Sequence, residues 1–219
     1  MRFDDLRKIG IINTLRFNWR YFGGVKPKIL ISRNVILKTL KGEVSIENPT
    51  LGGVKIGFGS VGIIDEKRDK TIWENSGNVC FQGHARLNVG TKIVCGSTGR
   101  LSFGENVQVT GRSSFICYQE ISIGDDCLIS WDNLLMDTDF HKIYNLDSRG
   151  DIDKALNGNK AITIGKHTWV GCRCMILKGA YIPENSVVAA GSVITKKLET
   201  SNAVYVNDDV KRERVGWQS

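Results

Sequence analysis

The sequence is short of proline, of histidine and of long apolar runs. Three prolines in 219 residues leave no proline-rich linker or polyproline segment. Three histidines, at 84, 141 and 167, lack the close pairing that a histidine-held zinc needs. No apolar run approaches the roughly 20 residues of a membrane-crossing helix. The six cysteines, at 80, 95, 117, 127, 172 and 174, include no CxxC pair, which argues against a zinc site and for reduced thiols used as small core residues. The N-terminus has charged residues but no short apolar core ahead of a cleavage-like site, so the reading is a cytoplasmic protein. No metal is expected. What the chain has in quantity is glycine, 24 residues, and positive charge, net +7. Many glycines suit many tight corners. The charge points to an anionic partner such as a phosphorylated cofactor, a lipid surface or nucleic acid. Nucleic acid is disfavoured, because no aromatic-basic motif accompanies the charge.

The organising stretch runs from Ile162 to Thr195. Aliphatic residues return at every sixth position: Ile164, Val170, Ile176, Ile182, Val188 and Ile194. A small residue follows four positions after each of the first five: Thr168, Cys174, Ala180, Ser186 and Ser192. A helix would repeat near 3.6 and a half-buried strand at 2. A period of six in two registers means short strands joined by tight corners, the signature of a parallel β-helix.

Ile164-Gly165, Trp169-Val170-Gly171, Ile176 and Ala190-Gly191-Ser192-Val193-Ile194-Thr195-Lys196 resemble the hexapeptide-repeat acyltransferase family, and in particular its sugar and surface-glycan O-acetyltransferases. The resemblance implies an all-β fold, a left-handed parallel β-helix, with an N-terminal helix and an excursion loop. The hand comes from the resemblance, since the period is silent on it. A γ-carbonic anhydrase shares the rod, but its histidine cluster is missing here.

Residues 1–27 read as an N-terminal helical segment, amphipathic and basic, ending near Gly23-Gly24. A structural cover for the rod is favoured there over peripheral contact with an anionic membrane. Residues 28–198 form the β-helix domain. Aliphatic-glycine corners stand at Ile56-Gly57, Val89-Gly90, Phe103-Gly104 and Ile123-Gly124, at spacings that are not multiples of six, as corner insertions would produce. The step fails after Leu135: the next inward position, 141, is a histidine. A loop at 141–161 then interrupts the repeat, and long unpatterned connections are more often functional than idle. Residues 199–219 are a C-terminal tail. Its Val206-Asn207-Asp208-Asp209-Val210 departs from the family's pattern, so no cofactor contact is assigned there.

Asp137-Thr138-Asp139-Phe140-His141 is similar to the Asp-x-Asp-x-His segment that precedes the excursion in those O-acetyltransferases. A hydroxyl attacks a thioester well only if its proton leaves as the bond forms, and imidazole suits that task. His141 is thus the expected base, with Asp139, two residues away on the same strand face, fixing its tautomer and Asp137 as second choice. His167 is expected to be solvated at a corner, and His84 to be packed. The resemblance further implies an acetyl-CoA channel. Trp169 would border it, Gly171, Cys172, Ala190, Gly191 and Ser192 would line the pantetheine path, and Thr195 and Lys196 would meet the cofactor's far end. Ser192 is also inward by register. The implied protein is a homotrimer that acetylates a hydroxyl of a sugar or glycan precursor. The rival readings are an N-acyltransferase acting on an amino sugar and a non-catalytic trimeric scaffold.

Overall fold

In a computed structural model, residues 3–24, 26–146 and 152–218 are described, with backbone only at 3–4 and 152–154. From Ile29 the chain climbs in triangular coils, each adding one strand to each of three sheets. The first sheet stacks Ile29–Ile31, Val54–Ile56, Ala85–Leu87, Val107–Val109, Leu128–Ile129, Trp169–Val170 and Val187–Val188. The second stacks Val35–Leu40, Thr71–Asn75, Lys92–Cys95, Ser114–Cys117, Leu134–Met136, Met175–Leu177 and Val193–Ile194. The third runs from Glu43–Ile46 through Asn78–Phe81, Arg100–Phe103, Glu120–Ile123 and Ile162–Ile164 to Tyr181–Ile182. Every ladder among these strands is parallel, and the whole is a left-handed parallel β-helix.

The six-residue period is now explained. Val170 pairs with Val188, eighteen residues on, which is one coil of three hexapeptides. Earlier coils are longer. Leu87 pairs with Val109 and Val109 with Ile129, so two to four extra residues sit at their corners. Ile56 pairs with Leu87, and its coil carries the loop ahead of Thr71. Side chains alternate in and out along each short strand. Ile31, Ile56, Leu87, Val109, Ile129, Val170 and Val188 form one inward column with no exposure. Each contributes roughly 1.5–3 kcal/mol by leaving water. Phe81 and Phe103 stack at 5.1 Å, and Phe115 meets Phe103 edge-on at 5.5 Å. Four cysteines, 95, 117, 127 and 174, are buried free thiols, and burial pushes Cys127 up to about 12.

The N-terminus holds two helices where the sequence suggested one: α1, Phe3–Lys8, and α2, Ile11–Phe22. Ile9 breaks them apart by bridging to Ser32. Helix α2 covers the open end of the first sheet. Thr14 Oγ1 donates to Ile31 O and accepts from Ile31 N, both at 3.1 Å. One turn on, Asn18 Nδ2 donates to Ile29 O at 2.7 Å, and its Oδ1 accepts from Ile29 N at 3.1 Å. Two side chains at i and i+4 thus stand in for the missing neighbour strand, whose absence would leave buried backbone groups unpaired.

The other end is closed by the tail. Ala203–Val206 extends the first sheet beyond Val187–Val188 and pairs antiparallel with Asp209–Glu213. The excursion also has structure that no period announced: Tyr144–Leu146 pairs antiparallel with Ile152–Ala155. Residues 147–151 of that loop lie outside the described residues. No helix among the described residues is long and apolar enough to cross a membrane.

Candidate active site

The three sheets meet at three columns of corners. The first column joins the first sheet to the second, the second joins the second to the third, and the third closes the coil.

His141 lies on the second column, and not as the register implied. The strand ends at Met136, and it is Asp137 that turns inward, with no exposure. Its carboxylate accepts three backbone N–H bonds from the corner below: Tyr118 at 2.8 Å, Gln119 at 2.7 Å and Glu120 at 2.8 Å. Asp137 therefore builds the platform. The chain then reverses through Phe140, a bulky residue at φ +60°, a conformation that costs energy and collects at functional sites. His141 N bonds back to Asp139 O at 2.6 Å, and the His141 side chain is exposed.

The same-face expectation for Asp139 depended on a continuing strand, and the strand has ended. Asp139 Oδ2 accepts from Asn157 Nδ2 at 2.8 Å and from Lys178 Nζ. Those two partners, Lys178 first, hold its carboxyl below the usual carboxylate range. Among the described residues the His141 imidazole makes no hydrogen bond. Asn157 also donates to His141 O at 2.8 Å and accepts from Ile143 N at 2.6 Å, so it ties the returning arm of the excursion to the segment that carries His141. A pocket of about 330 Å³ opens there, lined by Tyr118, Asp139, Phe140, His141, Asn157 and neighbouring residues. Sequence reasoning missed Asn157 and Lys178. Lys178 precedes Gly179 at the next corner of the column, and only the coil count reveals that it stands above position 139.

The expected channel residues divide between two columns. Gly171, Cys172, Ala190, Gly191 and Ser192 lie on the first. Gly171 N donates to Val188 O and Gly191 N to Cys172 O, each at 2.8 Å. A Cβ on Gly171 would stand 2.6 Å from Ala190 N, so the coils stack here too closely for any side chain. Ala190 is exposed. Ser192 is buried and donates to Ala189 O at 2.7 Å. Trp169 leads into this column from the first sheet, outward and 38% exposed, with Nε1 bonded to Ser130 Oγ at 3.1 Å. Thr195 and Lys196 lie on the second column, above Lys178. Thr195 bonds Asp208 of the tail through both N and Oγ1, at 2.9 and 2.7 Å. Lys196 is exposed, with no side-chain partner among the described residues.

Neither remaining histidine sits as the sequence suggested. His167 is not free in solvent: Trp217 stacks on it at 4.5 Å, and the two exchange bonds of 3.2 and 2.9 Å with each other's backbone carbonyls. His84 is exposed rather than packed, and it is bonded to Glu105 and Thr50. No group of three or more metal-ligating side chains occurs among the described residues.

Residues 161–196 match the bacterial transferase hexapeptide family, with six repeats. Over that stretch the chain carries the repeat that defines the family. It is 31% identical over 107 residues to the polysialic acid O-acetyltransferase of Neisseria meningitidis, covering 48% of this chain and 42% of that protein. It is 30% identical over 105 residues to the galactoside O-acetyltransferase of Escherichia coli K12, covering 44% and 48%. The chain thus spans less than half the length of these relatives. Among solved structures, the N-acyltransferase AntD of Bacillus cereus, in complex with dTDP and 3-hydroxybutyryl-CoA, superposes with a TM-score of 0.51 at 13% identity, over 84% of this chain and 78% of that one. That likeness is one of fold.

Proposed function

We infer that the protein is an acetyl-CoA-dependent O-acetyltransferase acting on a sugar or glycan hydroxyl. The observation that carries this reading is the exposed His141 lining a pocket of about 330 Å³, on a rod whose curated relatives are named polysialic acid and galactoside O-acetyltransferases. His141 removes the acceptor's proton as its oxygen attacks the thioester carbonyl. Backbone N–H groups hold the oxyanion, each such donor being worth about 3 kcal/mol. Collapse breaks the C–S bond, and the imidazolium returns its proton to the departing thiolate. Asp139, fixed by Lys178 and Asn157, positions the His141 segment rather than touching the ring. Ala190, Gly191 and Cys172 offer a side-chain-poor wall for the pantetheine arm, and the exposed Lys196 suits its phosphates.

The base and most of the channel wall lie on different columns of one rod, which supports a trimer with shared sites. The chain is read as acting in the cytoplasm. Helix α2 turns Ile11, Ile12, Leu15 and Trp19 outward at 68, 81, 44 and 65% exposure, beside Arg16 and Arg20. That basic, apolar face supports peripheral contact with an anionic membrane surface.

The test is turnover of acetyl-CoA against a panel of cell-surface sugars, with light scattering for the trimer. His141→Ala should lose about 10²–10⁴ in rate while still binding acetyl-CoA. A folded variant with near-normal turnover overturns the assignment. Turnover confined to amino sugars would favour N-acylation, and absence of acetyl-CoA binding would favour a silent scaffold.

A further inference from the structure

Two adjoining cavities away from the site described above form one groove. The larger, about 600 Å³, is walled by Leu51–Gly53, Lys55, His84 and Arg86. The smaller, about 240 Å³, is walled by Asp126, Leu128, His167 and Trp217. Asn106 and Gln108 line both. The groove follows the outer face of the first sheet, where strand register puts Lys55, Arg86, Gln108, Leu128 and Trp169 in one outward row. Four steps of about 4.8 Å give a row of roughly 19 Å, too long for one sugar ring.

We propose that this groove binds several consecutive units of an uncharged or weakly charged oligosaccharide, so that the acceptor is a glycan chain rather than a free monosaccharide.

Three features fix the chemistry. First, the charges that line the larger cavity are already paired. Lys55 and Arg86 both reach the buried Asp5 of α1, at 3.1 and 3.2 Å, and His84 Nδ1 meets Glu105 Oε1 at 2.6 Å. A polyphosphate or nucleotide would need free cations, and the groove offers hydrogen-bonding groups instead. Second, an aromatic surface stands at one end, Trp217 on His167 with Trp169 6.2 Å away, and the amides Asn106 and Gln108 occupy the middle. Apolar ring faces and equatorial hydroxyls ask for that combination. A peptide adding itself as a strand would need a free sheet edge, and the groove lies on the sheet's face, across strands paired on both sides. Third, the far end is built. Glu105 holds His84 through its ring and, at 3.1 Å, through its backbone N–H. Thr50 Oγ1 meets Nε2 at 3.2 Å. A Cβ on Gly83 would collide with the Glu105 carboxylate, and one on Gly53 with the Thr50 hydroxyl. Thr50, His84 and Glu105 stack on the third column at successive coils, so the imidazole that lines the groove is held in one orientation.

The acceptor role rests on the acetyl-transfer reading, but binding does not, so the two fail separately. The probe is a length ladder, one to eight units, of oligosaccharides released from neutral and acidic bacterial surface glycans. It is screened on an array and then titrated by calorimetry against the full-length protein, with acetyl-CoA binding measured on the same samples. The expected result is affinity rising at least ten-fold from one unit to four. Gln108→Ala, on an outward position, and His84→Ala should each lower the affinity for the longer chain several-fold and leave monosaccharide and acetyl-CoA binding unchanged. Length-independent binding, variants without effect, tighter binding of acidic ladders that salt abolishes, or no glycan bound at millimolar concentration would each overturn the proposal. Lost acetyl-CoA binding with the ladder result intact would instead remove the acetyl-transfer reading.

Discussion

Asn18→Ala tests whether α2 closes the rod. Asn18 has no exposure and makes three bonds: Nδ2 to Ile29 O at 2.7 Å and to Thr14 O at 2.8 Å, and Oδ1 from Ile29 N at 3.1 Å. The Thr14 carbonyl is the lesser loss. Ile29 is different: it is fully buried on the outermost strand of the first sheet, and truncation leaves both its N–H and its C=O unpaired. Each orphaned group costs about 1–3 kcal/mol, so the sum is about 2–6 kcal/mol, reduced by any water that enters the gap. A domain's whole stability is about 5–15 kcal/mol, so the end of the rod should open. Rods of stacked coils open from their ends. Amide hydrogen exchange across Ile29–Ile31 therefore reads the loss directly. Protection there should fall by at least ten-fold, with the Trp169–Leu177 coils unchanged. Asn13→Ala is the control, since Asn13 makes one 3.2 Å bond to Val35 O from a partly buried site, and its effect should be well under that of Asn18→Ala. Unchanged protection at Ile29 would refute the view that side chains replace the missing strand.

Lys178→Met should bring the Asp139 carboxyl back up toward the ordinary range, since Lys178 is the first cause of its depression. Because the folded value lies below the unfolded one, the anchor contributes above the ordinary carboxylate pKa and is lost as pH falls through the folded value. The effect on stability should be modest, since both side chains of the pair keep contact with water. A carboxyl-carbon NMR titration reads the shift, and an unmoved curve would count against the contact. Wild-type protein should sediment with vesicles that contain anionic lipid, and Trp19→Ser with Ile12→Ser should weaken this by more than ten-fold. Equal sedimentation with neutral vesicles would remove charge from the argument, and no sedimentation at low salt would remove the membrane.

The rod was legible because its period is dictated by backbone geometry. Where a coil has eighteen residues, as between Val170 and Val188, sequence and space keep the same register, and Ser192 could be read as inward. Where corners grow, the register drifts, and Lys178 could not be seen above Asp139. The six-residue count makes position 141 the next inward site only if the strand continues, and the strand ends at Met136. What ended it was Asp137, whose three backbone N–H partners lie on the preceding coil. Such a contact spans about a coil of sequence and leaves no local pattern. The role of α2 was half legible: a helical period shows an apolar face, but nothing in Thr14 or Asn18 announces a strand edge as the partner.

The last test follows from the columns. His141 stands on the second column, while Gly171, Cys172, Ala190 and Gly191 stand on the first. The second sheet lies between them, and its strands of two to six residues at about 3.3 Å each face solvent with their outward side chains. On the reading proposed above, the base and the channel of one thioester come from two neighbouring rods rather than from one. In a cyclic trimer every rod meets its neighbour through the same pair of surfaces, so the second column of one rod can face the first column of the next. Two inactive variants then complement each other. His141→Ala lacks the base and keeps the channel. Ala190→Trp, at an exposed corner position, blocks the channel and keeps the base. Unfolded together in equal amounts and reassembled, they should form random trimers if the proposed assembly holds. A site works when its base comes from an Ala190→Trp chain and its channel from a His141→Ala chain, which is about one site in four for random cyclic assembly. Acetyl transfer should therefore return to about a quarter of wild type, with neither variant active when reassembled alone. Mixed trimers that form, by mass spectrometry, and yet stay inactive would mean that base and channel serve one another within a single rod.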